Sequence, residues 1–354
     1  MKKINEIDRN FSIETEIKKE GITFFDVKSE PFKVYGIIRE GDEWVRMKGE
    51  VARATNEGVA NLYKHTAGGR VRFVTDSPYV AIKTRQPKGY PMSHIALTGQ
   101  GGFDLYVGEG RESKFYKAFV PPLDIGDGYE SIVEFADASR RTVTINFPLY
   151  YGVCELYVGL DGNASVGEAE EYEITKPIVY YGSSITQGGC ASRPGTCYQA
   201  YISRWFNADH INLGFSGNAK GEDAMADYIA SLDMSLFVYD YDHNAPTNEH
   251  LLATHERMFK RIRAAHPTLP IIIASRPKAE LGEMELARLG IIRATYERAL
   301  AEGDENVYFV DGRELMSIAG QDGTVDGCHP TDLGFFSMAK RFAEEIDKIG
   351  TFRR

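Results

Sequence analysis

Only four cysteines occur in the 354 residues, Cys154, Cys190, Cys197 and Cys328, and none forms a CxxC pair. A zinc ribbon and a CxxC redox centre are therefore excluded, and thiols without a pairing pattern fit a reducing cytoplasm. No secretory leader is expected either. The first twenty residues, MKKINEIDRNFSIETEIKKE, are charged throughout and hold no apolar core. The expected location is cytoplasmic, or outside the cell if a leader has been removed. No apolar run approaches the roughly eighteen residues that cross a bilayer, so no membrane partner is expected. A basic stripe is absent too. With 41 basic against 51 acidic side chains, the net charge of -10 excludes the electrostatic footprint of a nucleic-acid binder. The chain has no GxSxG elbow, no GxGxxG after its strand at 178–181 and no GxxxxGK[ST] loop. These absences remove the usual α/β-hydrolase nucleophile turn, the dinucleotide fold and the phosphate-cradling loop.

What is present divides into two regions. Residues 1–172 read as strands almost throughout: Phe32–Tyr35, Trp44–Met47, Val71–Val74, Val80–Lys83, Phe103–Val107, Ser113–Val120, Gly128–Phe135, Arg141–Phe147 and Glu155–Gly159. Glycine, proline and aspartate separate them, and the only helical hint is a turn near Glu57 to Lys64. This pattern predicts an all-β sandwich of jelly-roll type. The aromatics Tyr63, Tyr79, Tyr90, Phe103, Tyr106, Phe115 and Tyr116 are candidates for a sugar platform or for ordinary core. Asp104, inside an apolar strand, must face solvent, cap a turn or pair with a base such as Arg46 or Arg72, and pairing is the expectation. The polar stretch 161–173 is the expected linker.

Residues 173–354 alternate strands with helices. Strands are expected at Ile178–Tyr181, His210–Leu213, Leu236–Tyr239, Leu269–Ala274 and Val307–Val310, and helices at 197–206, 222–231, 247–265, 281–301 and 331–348. The prediction is an α/β fold with a doubly wound parallel sheet, whose ligands bind beyond the carboxyl ends of the strands. The residues there are Gly182-Ser183-Ser184, Gly214 to Asn218, Asp240 to Asn244, Ser275-Arg276-Pro277 and Asp311-Gly312, with Asp326-Gly327-Cys328-His329-Pro330 before the last helix.

Chemistry can be drawn from this set. A serine nucleophile needs an imidazole to take its proton, and the imidazole needs a carboxylate on its other nitrogen. Ser184, His329 and Asp326 offer those groups, although Ser184 also suits a turn and the Asp-His pair suits a helix entry. Gly217 and Asn244 offer donors for an oxyanion, or a plain turn and a helix cap. Arg276 is a candidate substrate contact or a salt-bridge partner. Asp240, Asp242, His243, Asp326, Cys328 and His329 mix hard and soft ligands without ordered spacing, so no metal and no cofactor is expected.

In order and composition these blocks resemble the SGNH or GDSL family of serine esterases. The family's first block, glycine, aspartate, serine and leucine or isoleucine, is similar to Gly182-Ser183-Ser184-Ile185, with Ser183 replacing the aspartate. The second resembles Gly214 to Asn218, the third only loosely Asp242-His243-Asn244-Ala245, and the last, aspartate, two residues and histidine, Asp326 to His329. Gly102-Phe103-Asp104-Leu105-Tyr106 resembles the motif of the sandwich domain that precedes one branch of the family. The resemblance implies a flavodoxin-like three-layer α/β/α domain over 173–354. It also implies a triad of Ser184, Asp326 and His329, and an oxyanion hole of Ser184, Gly217 and Asn244. The implied reaction is hydrolysis of a short-chain, acetyl-type ester of a carbohydrate, whose partner is a small-molecule or oligosaccharide ester. Acyl transfer to a hydroxyl acceptor is the alternative, and a non-catalytic carbohydrate-binding protein the second alternative. Strand edges and helix faces leave oligomerisation open.

Overall fold

A computed structural model describes residues 16–353. Its all-β half packs two antiparallel sheets face to face. One sheet runs in the order Ile22–Asp26, Glu155–Asp161, Tyr79–Arg85, Gly128–Glu134. The other runs Val166–Gly167, Arg70–Thr75, Arg141–Asn146, Phe103–Val107, Lys114–Phe119, with Lys33–Tyr35 added on Arg70–Thr75. Period-two alternation sorts each strand. Val71, Phe73, Val143, Ile145, Phe103 and Leu105 enter the sandwich core beside Val80, Ile82, Val158 and Leu160. Their neighbours Arg70, Arg72, Thr144, Asn146, Asp104 and Tyr106 occupy the opposite face of the same sheet, and that face meets the other half of the molecule.

Three strands escape the sequence pattern, Ile22–Asp26, Ile38–Glu40 and Val166–Gly167. Two short helices replace the expected turn, Gly49–Thr55 and Glu57–Leu62. Asn56 caps the second, its side chain accepting from Val59 N–H at 2.8 Å. Ala52 and Val59 pack with Met225, Ala226 and Ile229 of the α/β half, not with the sandwich. Helices this short show no stripe because one or two apolar residues suffice to dock them.

The α/β half has five parallel strands in the order Ala208–Gly214, Ile174–Gly182, Leu236–Asp240, Ile271–Ala274, Val307–Val310. This 2-1-3-4-5 order is flavodoxin-like, with its switch point beside the first strand. Alternate strand residues feed opposite layers. Ile178, Tyr180, Leu236, Val238 and Ile272 face the layer built by helices Tyr198–Phe206 and Asp332–Ile346. Val179, Tyr181, Phe237, Tyr239 and Ile273 face Asp223–Ala230, Asn248–Ala265 and Glu283–Ala301. Both layers continue into the other half, through Ala67, Ile95, Leu149 and Tyr150 on one side and Val45, Met47 and Tyr63 on the other. No helix of the described residues is long and apolar enough to cross a membrane.

Candidate active site

The strand Ile174–Gly182 ends at the switch point, and the chain turns at once into the four-residue helix Ser184–Gln187. Any side chain at Gly182 would overlap Thr186 Oγ1 and the carbonyl of Asp240, so the turn requires glycine. Ser183 is the N-cap, its hydroxyl accepting from Ile185 N–H at 3.2 Å. Serine and aspartate are comparable caps, which gives the departure from the family's aspartate a physical account. The cap takes Ile185 N–H, and the N–H of Ser184 makes no hydrogen bond among the described residues.

The turn is pinned from several sides. Thr186 Oγ1 donates to Asp240 Oδ2 at 3.0 Å, and Thr186 O accepts from Gln199 Nε2 at 2.6 Å and Asn212 Nδ2 at 2.7 Å. Tyr150 OH donates to Ser184 O at 3.1 Å. Gln187 Nε2 lies 3.1 Å from both Leu149 O and His65 Nδ1, while its Oε1 accepts from Ser216 N–H at 3.1 Å. Gln187 thereby couples the serine turn to the loop carrying Gly217.

Ser184 Oγ lies 2.9 Å from His329 Nε2, and His329 Nδ1 lies 2.8 Å from Asp326 Oδ2. The loop 325–329 closes on itself, with Val325 N–H donating to His329 O at 2.9 Å. Within it Asp326 Oδ1 accepts from the N–H groups of His329 at 2.7 Å and Cys328 at 3.0 Å. Partial burial raises the Asp326 pKa, but the hydrogen bonds and charge of His329 outweigh it and hold the carboxyl to about 2. The carboxylate is thus an anion at neutral pH.

Gly217 is exposed at φ +71, a left-handed turn that glycine adopts without strain, and its N–H has no acceptor among the described residues. Asn244 Oδ1 accepts from Ala219 N–H at 3.4 Å, which commits the oxygen to the loop and leaves Nδ2 as the donor end. Ser184, Gly217 and Asn244 therefore stand on three loops joined by Gln187 and the Ala219 contact.

Arg276 is bound into its own surroundings. Its N–H donates to Asp242 Oδ2 at 3.0 Å, and its guanidinium lies 3.5 Å from His243 Nε2 and 3.7 Å from Glu285 Oε1. Cys328 Sγ in turn lies 3.4 Å from His243 Nε2. Burial, with Arg276 and His329 nearby, holds His243 down to about 3, so it stays neutral. Burial pushes the Cys190 thiol up to about 12, which removes it as a competing nucleophile.

Among the described residues two groups bring metal-type ligand atoms within 4.8 Å of one another, His94 with Cys190 and His329, and Asp326 with Cys328 and His329. Both need His329, whose two nitrogens already face Ser184 and Asp326. Asp240, Asp242 and His243, drawn into the candidate ligand set from sequence, belong to neither group. Asp240 and Asp242 are buried, and burial raises the pKa of each.

Asp104 corrects its expected pairing. It is fully buried and bonds across to the other half, with Arg193 at 3.0 Å and Gly195 N–H at 2.8 Å, while Asn146 Nδ2 on the neighbouring strand donates to it at 2.7 Å. Asn146 stands between Asp104 and Arg70 in the strand register, so the sheet's own arginines are not its nearest cations. Arg46 instead donates to the carbonyls of Leu62, Asn212 and Gly214 and covers the Phe215 ring at 4.5 Å. The seven aromatics form no common platform, since Tyr63, Tyr79, Phe103 and Tyr106 are buried. Sequence reasoning missed Gln187, Tyr150, His65 and His94, whose ring centroid is 5.9 Å from that of His329. Gln187 alone carried a signal, one helical turn after Ser184.

A serine, an imidazole and a carboxylate in hydrogen-bonded line at a sheet's switch point are the geometry of serine hydrolases as a class. Residues 175–347 match the GDSL-like Lipase/Acylhydrolase family, and residues 22–166 match the N-terminus of Esterase_SGNH_hydro-type, GxDLY. The chain belongs to the GDSL, or SGNH, family of esterases, with the GxDLY-type domain at its N-terminal side. Among solved structures it is similar to a Bacteroides ovatus ATCC 8483 protein assigned as a GDSL-like lipase, at 28% identity and TM-score 0.82, over 94% of this chain and 99% of that one. The salicylyl-acyltransferase SsfX3 of a tetracycline biosynthetic pathway shares the fold at 20% identity and TM-score 0.75, over 94% and 99%. So does an acetyl xylan esterase of Butyrivibrio proteoclasticus at 13% and 0.61, over 94% and 100%. Among curated proteins, no sequence match was found.

Proposed function

We propose that this protein is a serine esterase that hydrolyses a short-chain acyl ester, with acetyl as the acyl group and a carbohydrate hydroxyl as the alcohol. His329 Nε2 takes the Ser184 proton as Oγ bonds to the acyl carbon, and the carbonyl electrons move onto oxygen. The N–H groups of Ser184 and Gly217 and the Asn244 amide hold that oxyanion. Collapse breaks the bond to the alcohol, which leaves with the proton from His329. Water then repeats the sequence on the acyl-serine, and the acid departs. Asp326 stays ionised throughout and stabilises the imidazolium.

The observation that carries this reading is the 2.9 Å and 2.8 Å line from Ser184 through His329 to Asp326. The substrate class draws on the rim, where Gly217, Gly327 and His94 are exposed and Asn244 is half-buried, a polar border suited to a hydroxylated alcohol. It also draws on the likeness in fold to an acetyl xylan esterase. The likeness to a salicylyl-acyltransferase keeps acyl transfer as a second reading, identical up to the acyl-serine.

p-Nitrophenyl acetate, butyrate and octanoate separate these. Acetate should turn over fastest, and Ser184→Ala should lose on the order of 10³-fold or more. Equal rates for native protein and Ser184→Ala would sink the reading. Added sugar alcohol that diverts most acyl groups from water would select transfer.

A further inference from the structure

The interface between the two halves carries a charge imbalance that the proposed chemistry does not use. On the Arg70–Thr75 sheet, strand register sets Arg72, Thr144 and Tyr106 in one cross-strand row and Arg70, Asn146 and Asp104 in the next, all on the interdomain face. Each carboxylate there has its own cation. Asp104 takes Arg193, and Asp209 takes Arg70, which also donates to Tyr172 OH, Gly68 O and His210 O. Among the described residues Arg72 and Arg204 form no ion pair, although Asp209, held by Arg70, also feels the charge of Arg72.

Arg72 is the sharper case. It is 3% exposed, its NH1 is unpaired, and its guanidinium makes no hydrogen bond or ion pair among the described residues. It lies against aromatic rings, Tyr172 at 4.3 Å and Tyr35 at 6.0 Å, and its charge reaches the Asp209 carboxylate without an ion-pair contact. Stacking returns a small part of the cost of a buried cation. Arg204, on helix Tyr198–Phe206 of the α/β half, likewise lies on a ring, Tyr106 at 4.3 Å. Both arginines line one cavity of about 30 Å³ between the halves, together with Arg70, which Asp209 already matches, and with Ser113, Thr144 and His210 as further polar lining. His210 adds no charge, because burial, Arg70 and Arg204 keep its pKa well below the usual imidazole range.

We infer that this cavity binds a small inorganic anion of chloride size, bridging Arg72 of the all-β half and Arg204 of the α/β half. Size decides the class. One water needs roughly 10–15 Å³, so a volume of about 30 Å³ suits a halide or nitrate better than a phosphate ester, a nucleotide or a sugar acid. Charge decides the sign, since two cations outside any ion pair face it and its lining holds no carboxylate. The anion acts as an interdomain staple, stabilising the native arrangement in proportion to its saturation.

Thermal melting at constant ionic strength tests this, replacing sodium gluconate, whose anion is too large, with sodium chloride. The native protein should gain a saturable few degrees in Tm. Arg72→Met and Arg204→Gln should lose that gain, and Arg72→Met should melt no lower than native protein in gluconate. Crystals soaked in bromide should show an anomalous peak between the two guanidinium groups. A Tm unchanged by chloride, a gain retained in Arg72→Met, or bromide-soaked crystals without the peak would each overturn the inference.

Discussion

The two halves of this molecule place their polar groups in opposite ways. In the α/β half the central strands Leu236–Asp240 and Ile271–Ala274 are buried on both faces, so polar residues collect where the strands end, and parallel strands all end on one edge. Ser184, Gly217 and Asn244 follow three such ends, with Asp240 and Ser275 beside them. In the all-β half the antiparallel strands alternate, so polar residues spread in rows over one sheet face, as Arg70, Arg72, Thr144, Asn146, Asp104 and Tyr106 do. The first geometry concentrates reactive groups at a point. The second makes a docking surface, and here it docks the partner half through Asp104, Arg193 and Arg70.

If that division holds, substitutions in the two halves should separate stability from rate. The largest effect is expected at Asp104→Ala, which strands Arg193, Gly195 N–H and Asn146 together. Denaturant unfolding should show a loss of about 4 kcal/mol, with kcat of the folded variant on p-nitrophenyl acetate nearly unchanged. A large fall in kcat without a loss of stability would place Asp104 in the chemistry and break the comparison.

Asn244→Ala should do the reverse. Removing an oxyanion donor costs about 3 kcal/mol of transition-state stabilisation, a fall in kcat on the order of 10²-fold, while Tm barely moves. A constant rate would assign Asn244 to holding Ala219 N–H instead. The smallest effect concerns acid. Asp326 has its pKa lowered in the fold, so its contribution is complete above the ordinary carboxylate value and is lost as pH falls toward about 2. Native protein should therefore melt slightly above Asp326→Asn at pH 5, and the gap should close between pH 4 and 2. A gap that persists at pH 2 would contradict the carboxylate's place in the hydrogen-bonded loop.

The parallel half was legible because helix and strand periods are local. The predicted strand Val307–Val310 and the helices at 247–265 and 281–301 match the observed elements to within two residues at each end. The helices Gly49–Thr55 and Glu57–Leu62 were not legible, since their apolar residues are explained only by a surface contributed from elsewhere in the chain. The same holds for Asp104. Sequence shows that a buried carboxylate needs a cation, but Arg193 is distant along the chain and reaches it only through the meeting of two halves.

Composition and motif order alone thus determined the two-part architecture, the sheet type, and the loops on which Ser184, Gly217, Asn244, Asp326 and His329 stand. Each depends on short-range pattern or on the rule that parallel strands end together. Only the tertiary structure decided that Ser184, His329 and Asp326 lie in hydrogen-bonded line and that Gln187 ties the serine turn to the Gly217 loop. It also decided that Arg72 faces an interdomain cavity without a carboxylate. Those facts depend on distances between residues far apart in the chain, and such distances are set by how two cores pack against each other.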